Sequence, residues 1–285
     1  MRFTKMQGAG NDFVLIEANN SQHDWTQMAV DMCDRHYGVG ADGLLVLLPS
    51  DRADCRMRIF NADGSESNTC GNGLRCLIKH YIDGMPDSSA VQEIIVETGA
   101  GIRQARIHHT KGRIAQIQTG MGRPAIGPDN IPITLDGRKE GILDITSAMS
   151  HTLIIAGVEL NLFLVSMGNQ HAVHFIKEPV KDFPLSKFGP RVEHHRAFPE
   201  EVNFEIANIK SRGVIEARVW ERGVGETMAC GSGACAINVA AQLLGYADSK
   251  VDISLPGGIL NVEWDVKGEV FLSGPAETVF VGEWP

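Results

Sequence analysis

The sequence predicts a mixed α/β protein, of α+β character, built from two copies of one fold unit. Three observations carry this. First, Thr69-Cys70-Gly71-Asn72-Gly73 is echoed by Ala229-Cys230-Gly231-Ser232-Gly233, and each copy precedes an apolar run of helical length. Second, the echo continues upstream in fixed order. Arg58-Ile59-Phe60-Asn61 falls on Arg218-Val219-Trp220-Glu221, both starting twelve residues before the Cys (70 − 58 and 230 − 218), and Glu66 falls on Glu226. Gly10-Asn11 resembles Gly168-Asn169 at nearly the same distance, 59 and 61 residues (70 − 11 and 230 − 169). Similarity in fixed order is the mark of an internal repeat. Third, Ala234 to Leu244 holds no charge and only Asn238 and Gln242 as polar residues. A helix apolar on all sides is buried on all sides, and surrounding strands would do that. Two such units related by a pseudo-twofold axis would leave a cleft between them, each delivering one Cys at the start of its helix.

In the first half, Phe3 to Glu17 reads as a strand broken at Gly8-Ala9-Gly10, with Asn11-Asp12 at the break. Trp25 to His36 reads as a helix, with Trp25, Met28, Ala29, Met32 and Cys33 on one face. Gly38 to Gly43 is a loop, and Leu44 to Leu48 a fully buried strand. Asp54 to Phe60 alternates, and Asn61 to Ser65 is a turn. Leu74, Leu77, Ile78, Tyr81 and Ile82 recur at helical spacing until Gly84 and Pro86 stop the helix. Ile94 to Glu97, Ile102 to His108 and Arg113 to Thr119 then read as an antiparallel meander.

Gly120 to Pro124 and Gly127-Pro128 read as a domain linker. The predicted division into halves falls there, between 121 and 122. Leu153 to Ile155 and Leu160 to Val165 are strands around Gly157, and Ser166 to His171 leads into Ala172 to Ile176. Lys181 to Phe198 is a polar connection with some helix. Val214 to Trp220 is a strand. After the second Cys helix come strands at Ile253 to Leu255, Leu260 to Val266 and Val270 to Leu272, with a last short one beginning at Phe280-Val281.

Composition narrows the function classes. The chain has 285 residues, 43% hydrophobic and 21% charged, with a net charge of −9. That balance argues against nucleic acid or an anionic membrane as partner, and neither His108-His109 nor His194-His195 makes a basic patch. Met1 to Gln7 has no apolar signal core and no run approaches a membrane span, so a cytoplasmic location is expected. The six cysteines form no C-x-x-C pair, which weakens zinc-ribbon and thioredoxin readings. Cys33, Cys55, Cys76 and Cys235 read as core.

Cys70 and Cys230 are different. A thiol at a helix N-terminus meets unpaired backbone N–H groups and the positive end of the helix dipole. Its pKa can fall there to roughly 3.5–7.5. The flanking glycines let backbone N–H groups turn toward a carboxylate. Two such groups around one carbon offer a thiolate base and a thiol acid. Removing a proton from one face and returning it to the other is racemisation or epimerisation beside a carboxylate.

These segments, with Met6 to Phe13, Gly38 to Gly43, Phe60 to Ser65, Pro199-Glu200-Glu201-Val202-Asn203, Glu221-Arg222-Gly223 and Gly274-Pro275-Ala276-Glu277, resemble the diaminopimelate epimerase family in order over the whole chain. The resemblance implies halves that are each a barrel-like sheet wrapped around a central helix, with the C-terminal strand returning to the first half, so that the domains are 1–121 joined by 273–285, and 122–272. It implies interconversion of L,L- and meso-2,6-diaminopimelate, in lysine and peptidoglycan precursor biosynthesis, with no pyridoxal phosphate, metal or other cofactor. It makes Cys70 and Cys230 the acid/base pair, with His171 and Glu221 in support. The substrate-binding positions carried over are Asn11, Asn61, Gly71, Asn72, Asn169, Asn203, Glu221, Arg222, Gly231 and Ser232. A homodimer is also implied. The chain departs from the family pattern in two places. Gly43 stands where some members have Gln. Gln170 and Ala172 stand where the family often has Pro and Cys, and the loss of Pro frees the backbone there. The competing readings are a two-cysteine racemase for another amino acid, a redox-sensing or acyl-transferring thiol protein, and a non-catalytic binding module.

Overall fold

The two Cys-Gly segments become the N-termini of two helices, each enclosed by strands of its own unit. The computed structural model describes residues 1–19, 23–68, 70–110, 113–126, 131 and 150–285. Thr69 of the first motif and the expected linker residues Gly127-Pro128 lie outside the described residues. The chain folds as two compact units, Met1–Gly120 with Ser273–Pro285, and Met121–Leu272.

In the first unit, β1 (Arg2–Gly8) and β2 (Asn11–Glu17) form an antiparallel hairpin. Its turn residues Ala9 and Gly10 sit at φ 54° and 79°. β2 lies parallel to β3 (Gly43–Leu48), so the connection must cross over, and α1 (Trp25–Cys33) makes the crossing. Periodicity alone would carry α1 to His36. It stops at Cys33 because Asp34 Oδ1 accepts the backbone N–H groups of His36 and Tyr37, both at 2.7 Å. A side chain that offers the backbone an alternative partner ends a helix in this way.

β3 pairs antiparallel with β4 (Cys55–Asn61), which carries the short β5 (Glu66–Ser67). After α2 (Gly71–Asp83), β6 (Glu93–Thr98) lies parallel to β4 and continues through β7 (Gly101–Thr110) and β8 (Arg113–Gly120) as the expected meander. α2 packs on β1, β2, β3, β4 and β8 through Leu74, Leu77, Ile78 and Ile82. On the other side of the same strands, Trp25, Ala29 and Met32 of α1 pack with Val14, Leu44, Val46 and Phe60. β3 is thus covered on both faces, which is why Leu44 to Leu48 is apolar without alternation.

The second unit repeats this order. β9 (Ala125–Ile126) and β10 (Ser150–Ile155) pair along one edge of β11 (Val158–Ser166), which pairs antiparallel with β12 (Gln170–Phe175) on the other. β12 lies parallel to β13 (Asn203–Ser211), and the crossover is α3 (Leu185–Glu193). The polar connection expected there therefore holds a true helix, with Leu185, Phe188 and Val192 buried. β13 pairs antiparallel with β14 (Val214–Glu221), which carries β15 (Gly225–Thr227). α4 (Gly231–Leu243) follows, then β16 (Lys250–Leu255), parallel to β14, and β17 (Gly258–Glu263). α4 packs on β11, β12, β13, β16 and β17 and is buried continuously from Gly233 to Ala241.

Several strand bounds differ from expectation, and two of them have a visible cause. β17 stops at Glu263 rather than Val266, because Asp265 Oδ1 accepts the N–H groups of Lys267 and Gly268 and Val266 takes φ 69°. After β18 (Phe271–Gly274), the last strand, β19, spans Glu277–Glu283. It is longer than expected because it pairs along β1, from Arg2↔Glu283 to Gln7↔Glu277, and it also packs on α2.

The repeat has a structural cause beyond the helices. Arg58 forks onto Glu66 with Nε–Oε1 at 2.7 Å and Nη2–Oε2 at 2.9 Å. Arg218 forks onto Glu226 at 2.8 and 2.9 Å. Each pair holds a short strand against its neighbour and so sets the path of the chain into the Cys loop. Among the described residues, no helix is long and apolar enough to cross a membrane.

Candidate active site

In the first unit, Cys70 is the N-cap of α2, in extended conformation. Its sulfur accepts the backbone N–H of Gly73 at 3.5 Å, which satisfies one of the donors a helix start leaves unpaired. Gly73 is closely packed in this turn: a Cβ there would come 2.9 Å from Leu45 Cδ2. The half-buried Cys70 thiol points to Asn11 Oδ1 at 3.8 Å. Asn72 Nδ2 donates to the same Oδ1 at 3.3 Å. Asn11 in turn donates through Nδ2 to Asp42 at 2.7 Å, so its oxygen is turned toward Cys70. Buried Arg75 holds the Asn72 oxygen at 2.6 Å and the Gly71 carbonyl at 3.2 Å. Asn61 is not drawn into this group by its side chain. It sits exposed in its turn and donates to Ser65 Oγ at 2.9 Å.

In the second unit, Cys230 caps α4 in the same manner, with Gly233 N–H donating to Sγ at 3.4 Å. Ser232 Oγ lies 3.5 Å from this sulfur and accepts from Asn169 Nδ2 at 3.4 Å. Asn169 Oδ1 is 3.0 Å from His171 Nε2, and His171 Nδ1 is 2.6 Å from Glu205 Oε1. The Glu221 carboxyl lies beside the Cys230 thiol and accepts from Thr227 Oγ1. Each unit therefore places one Asn, 59 or 61 residues upstream, in the hydrogen-bond group around its Cys. Different partners orient the two Asn side chains.

The remaining expected residues serve a neighbouring framework. Asn203 donates to the Gln170 carbonyl at 2.7 Å and accepts the Arg222 N–H at 3.0 Å. The Arg222 guanidinium donates to the Glu200 carbonyl at 2.8 Å and to Gln170 Oε1 at 3.3 Å. The expectation of a freed backbone at Gln170 is corrected by these bonds. The Asn203 amide holds that backbone, and the Gln170 side chain reaches Arg222. Gly43 starts β3, and a Cβ there would come 2.7 Å from the Phe60 carbonyl.

The electrostatics correct a second expectation, that the helix start lowers the thiol pKa. For Cys230, burial and then the nearby Glu221 carboxyl push it well above the ordinary thiol range, and the Ser232 and Gly233 hydrogen bonds only partly oppose them. Burial also raises the Glu221 carboxyl, against its contacts with Thr227 and Cys230. The core cysteines behave as expected of buried thiols, with Cys33, Cys55 and Cys76 pushed up to about 12 by burial.

Sequence reasoning passes over Asp42, Arg75, Glu205 and Thr227. Asp42 lies inside one of the family motifs. Arg75 and Glu205 each carry a readable signal, a charge inside an otherwise buried helix or strand face. One group with the proximity of metal ligands exists among the described residues, Glu193, His194 and Glu201. Glu193 is already engaged there, accepting from Gly223 N–H at 2.6 Å and from Trp220 Nε1 at 2.7 Å.

Comparison with known proteins places these features in context. The family model described as diaminopimelate epimerase matches residues 3–126 and 163–279. A diaminopimelate epimerase of Acetivibrio thermocellus is 42% identical over 286 residues, covering 99% of this chain and 98% of that one. One of Desulfovibrio desulfuricans is 43% identical, covering 100% and 98%. Among solved structures, a PhzF-family phenazine biosynthesis protein of Bacillus anthracis aligns with a TM-score of 0.70 at 16% identity, covering 100% and 99%. A hydroxyproline epimerase of Agrobacterium vitis aligns with a TM-score of 0.69 at 14% identity, covering 99% and 90%. At such identities the likeness is one of fold.

Proposed function

This chain belongs to the diaminopimelate epimerase family, and we propose that it interconverts L,L- and meso-2,6-diaminopimelate with Cys70 and Cys230 as the acid/base pair. The single observation that carries the assignment of the pair is their equivalence. Each thiol caps a buried helix, accepts the N–H three residues on, and has an Asn in its hydrogen-bond group. One thiolate takes the α-proton and the other thiol returns a proton to the opposite face. In the reverse direction they exchange roles. Protons and charge balance without a cofactor, since the carbanion is carried only as negative charge on the adjacent carboxylate.

That charge is met by backbone N–H groups at the helix starts, at Gly71-Asn72 and Gly231-Ser232, where the dipole favours it. Arg222 binds the distal carboxylate. A bidentate carboxylate is a stronger partner than the Glu200 carbonyl and Gln170 amide it now contacts. Glu221 pairs with an ammonium group, and Asn61 and Asn203 add uncharged partners. His171 supports the Cys230 thiol. The reaction supplies meso-diaminopimelate for lysine and peptidoglycan precursors, in the cytoplasm. Nucleic acid and membranes are not partners of a chain with net charge −9. The assembly is a homodimer, for which the exposed Val279, Phe280 and Val281 on β19 offer apolar surface; a single monomeric species in sedimentation would remove it.

Turnover of L,L-diaminopimelate in deuterated water tests the mechanism. Deuterium enters the α-carbon with inversion, and Cys70→Ala and Cys230→Ala each lower the rate by roughly 10²–10⁴. Full turnover by either variant overturns the two-base assignment. Activity on proline or hydroxyproline but not on diaminopimelate would overturn the substrate.

A further inference from the structure

We propose that Glu205 is a positioning residue for Cys230, setting the direction of a hydrogen-bond chain that runs through His171, Asn169 and Ser232 to the sulfur. This rests on the reading of Cys230 as an acid/base group. The chain is continuous: Glu205 Oε1 to His171 Nδ1 at 2.6 Å, His171 Nε2 to Asn169 Oδ1 at 3.0 Å, Asn169 Nδ2 to Ser232 Oγ at 3.4 Å, and Ser232 Oγ to Cys230 Sγ at 3.5 Å. The His171 and Glu205 side chains are wholly buried. The carboxyl also lies against the first turn of α4, since a Cβ on Gly233 would be 3.0 Å from Glu205 Oε1 and 3.4 Å from Cys230 Sγ.

The direction follows from donor and acceptor chemistry. An amide oxygen only accepts, so His171 Nε2 carries a hydrogen toward Asn169. The Asn169 NH₂ then donates to Ser232 Oγ, which leaves the hydroxyl hydrogen for the sulfur. Every link points toward Cys230, an arrangement that favours its thiolate. The Nε2–H persists if Glu205 and His171 share one proton, whether it rests on the imidazole or on the carboxyl. Among the described residues Glu205 Oε2 has no hydrogen-bond partner, which an ionised, unrelieved carboxylate would tolerate poorly. Burial raises the Glu205 carboxyl in the same sense, outweighing its contacts with His171 and the Ala172 backbone. A neutral amide at position 205 accepts or donates to Nδ1 equally well. The chain can then reverse and draw the Ser232 hydrogen away from the sulfur.

The ionisable group facing Glu205 is His171, and those facing Cys230 are Glu221 and, less strongly, Glu205 itself, whose negative charge would raise the thiol through space; Glu221 lies outside the chain. This difference supplies the test. In a Cys70→Ala background, the iodoacetamide reactivity of Cys230 is followed against pH by peptide mass. Glu205→Gln is expected to slow alkylation at least threefold below the midpoint and to move the midpoint upward. In the presence of Ser232→Ala, which cuts the last link, the same substitution is expected to have no further effect. Asn169→Ala, at a half-buried surface position, should reproduce the shift if Glu205→Gln does not fold. In the enzyme with both thiols, Glu205→Gln lowers kcat in both directions while KM stays within twofold.

An unchanged alkylation profile in Glu205→Gln and Asn169→Ala overturns the proposal. So does a shift that survives removal of Ser232, which would mean action through space or through general loosening. Alkylation requires no substrate. Absence of diaminopimelate turnover in the wild type would therefore count against the proposed reaction and not against the role of Glu205.

Discussion

Asp12 shows how much charge one residue beside the candidate site controls. Burial would raise its carboxyl, but hydrogen bonds from Arg35 and Lys5 outweigh it and hold the group at about 2, against an ordinary 3.8. Lys5 is itself buried, bonded to Asp12 at 2.5 Å and to the Gly40 carbonyl. The folded state therefore binds this proton more weakly than the unfolded chain. The stabilisation is complete above about pH 4 and is lost as pH falls toward 2. Asp12→Asn should flatten the acid limb of Tm against pH. It should also cost of the order of 3 kcal/mol at neutral pH, because it strands a buried lysine. Calorimetry from pH 2 to 7 checks both, and a mutant that keeps the wild-type acid limb would exclude this account. At this scale the thiols are legible in the sequence, because Cys-Gly-polar-Gly before an apolar run occurs twice. The residues that orient them are not. Asp42 lies 31 positions from Asn11 and Glu205 lies 34 from His171, so their pairing depends on which strands become neighbours.

At the scale of the element, helix starts are more legible than helix ends. Cys70 and Cys230 cap through their own sulfur, a local interaction that a short window of sequence contains. The end of α1 depends on the Asp34 side chain competing for backbone N–H groups, which apolar periodicity does not register. α3 reads as a mostly polar connection because only its inner face is apolar. That face packs closely enough that Gly189 has no room for a side chain, since a Cβ there would lie 2.3 Å from Trp220 Cδ2. Gly189→Ala is expected to cost about 1–3 kcal/mol by overpacking, visible as a lower urea midpoint at unchanged slope. Gly213→Ala, where a Cβ meets nothing within 4 Å, should cost less. Equal midpoints for the two would contradict the packing seen around Trp220.

For the whole molecule, the two units share one order of pairing. A hairpin is followed by a parallel neighbour reached through a helical crossover, then an antiparallel strand, the capped helix, and a second parallel neighbour. The first unit is completed by the end of the chain, because β19 pairs with β1 and packs on α2. A chain ended at Leu272 should lose hydrogen-exchange protection in β1 and α2 while α4 keeps it. Retained protection in β1 would show that β19 is dispensable. What the sequence by itself determined was the repeat, the strand-and-helix order, the two thiols and the family, all of which rest on local patterns and their spacing along the chain. What only the tertiary structure decided was which strands are neighbours, and through them three local outcomes: Asn11 turned by Asp42, Cys230 raised by its buried surroundings, and His171 held by Glu205. Hydrogen bonds and burial act over a few ångströms, and residues thirty or more positions apart come within that range only once the sheet has formed.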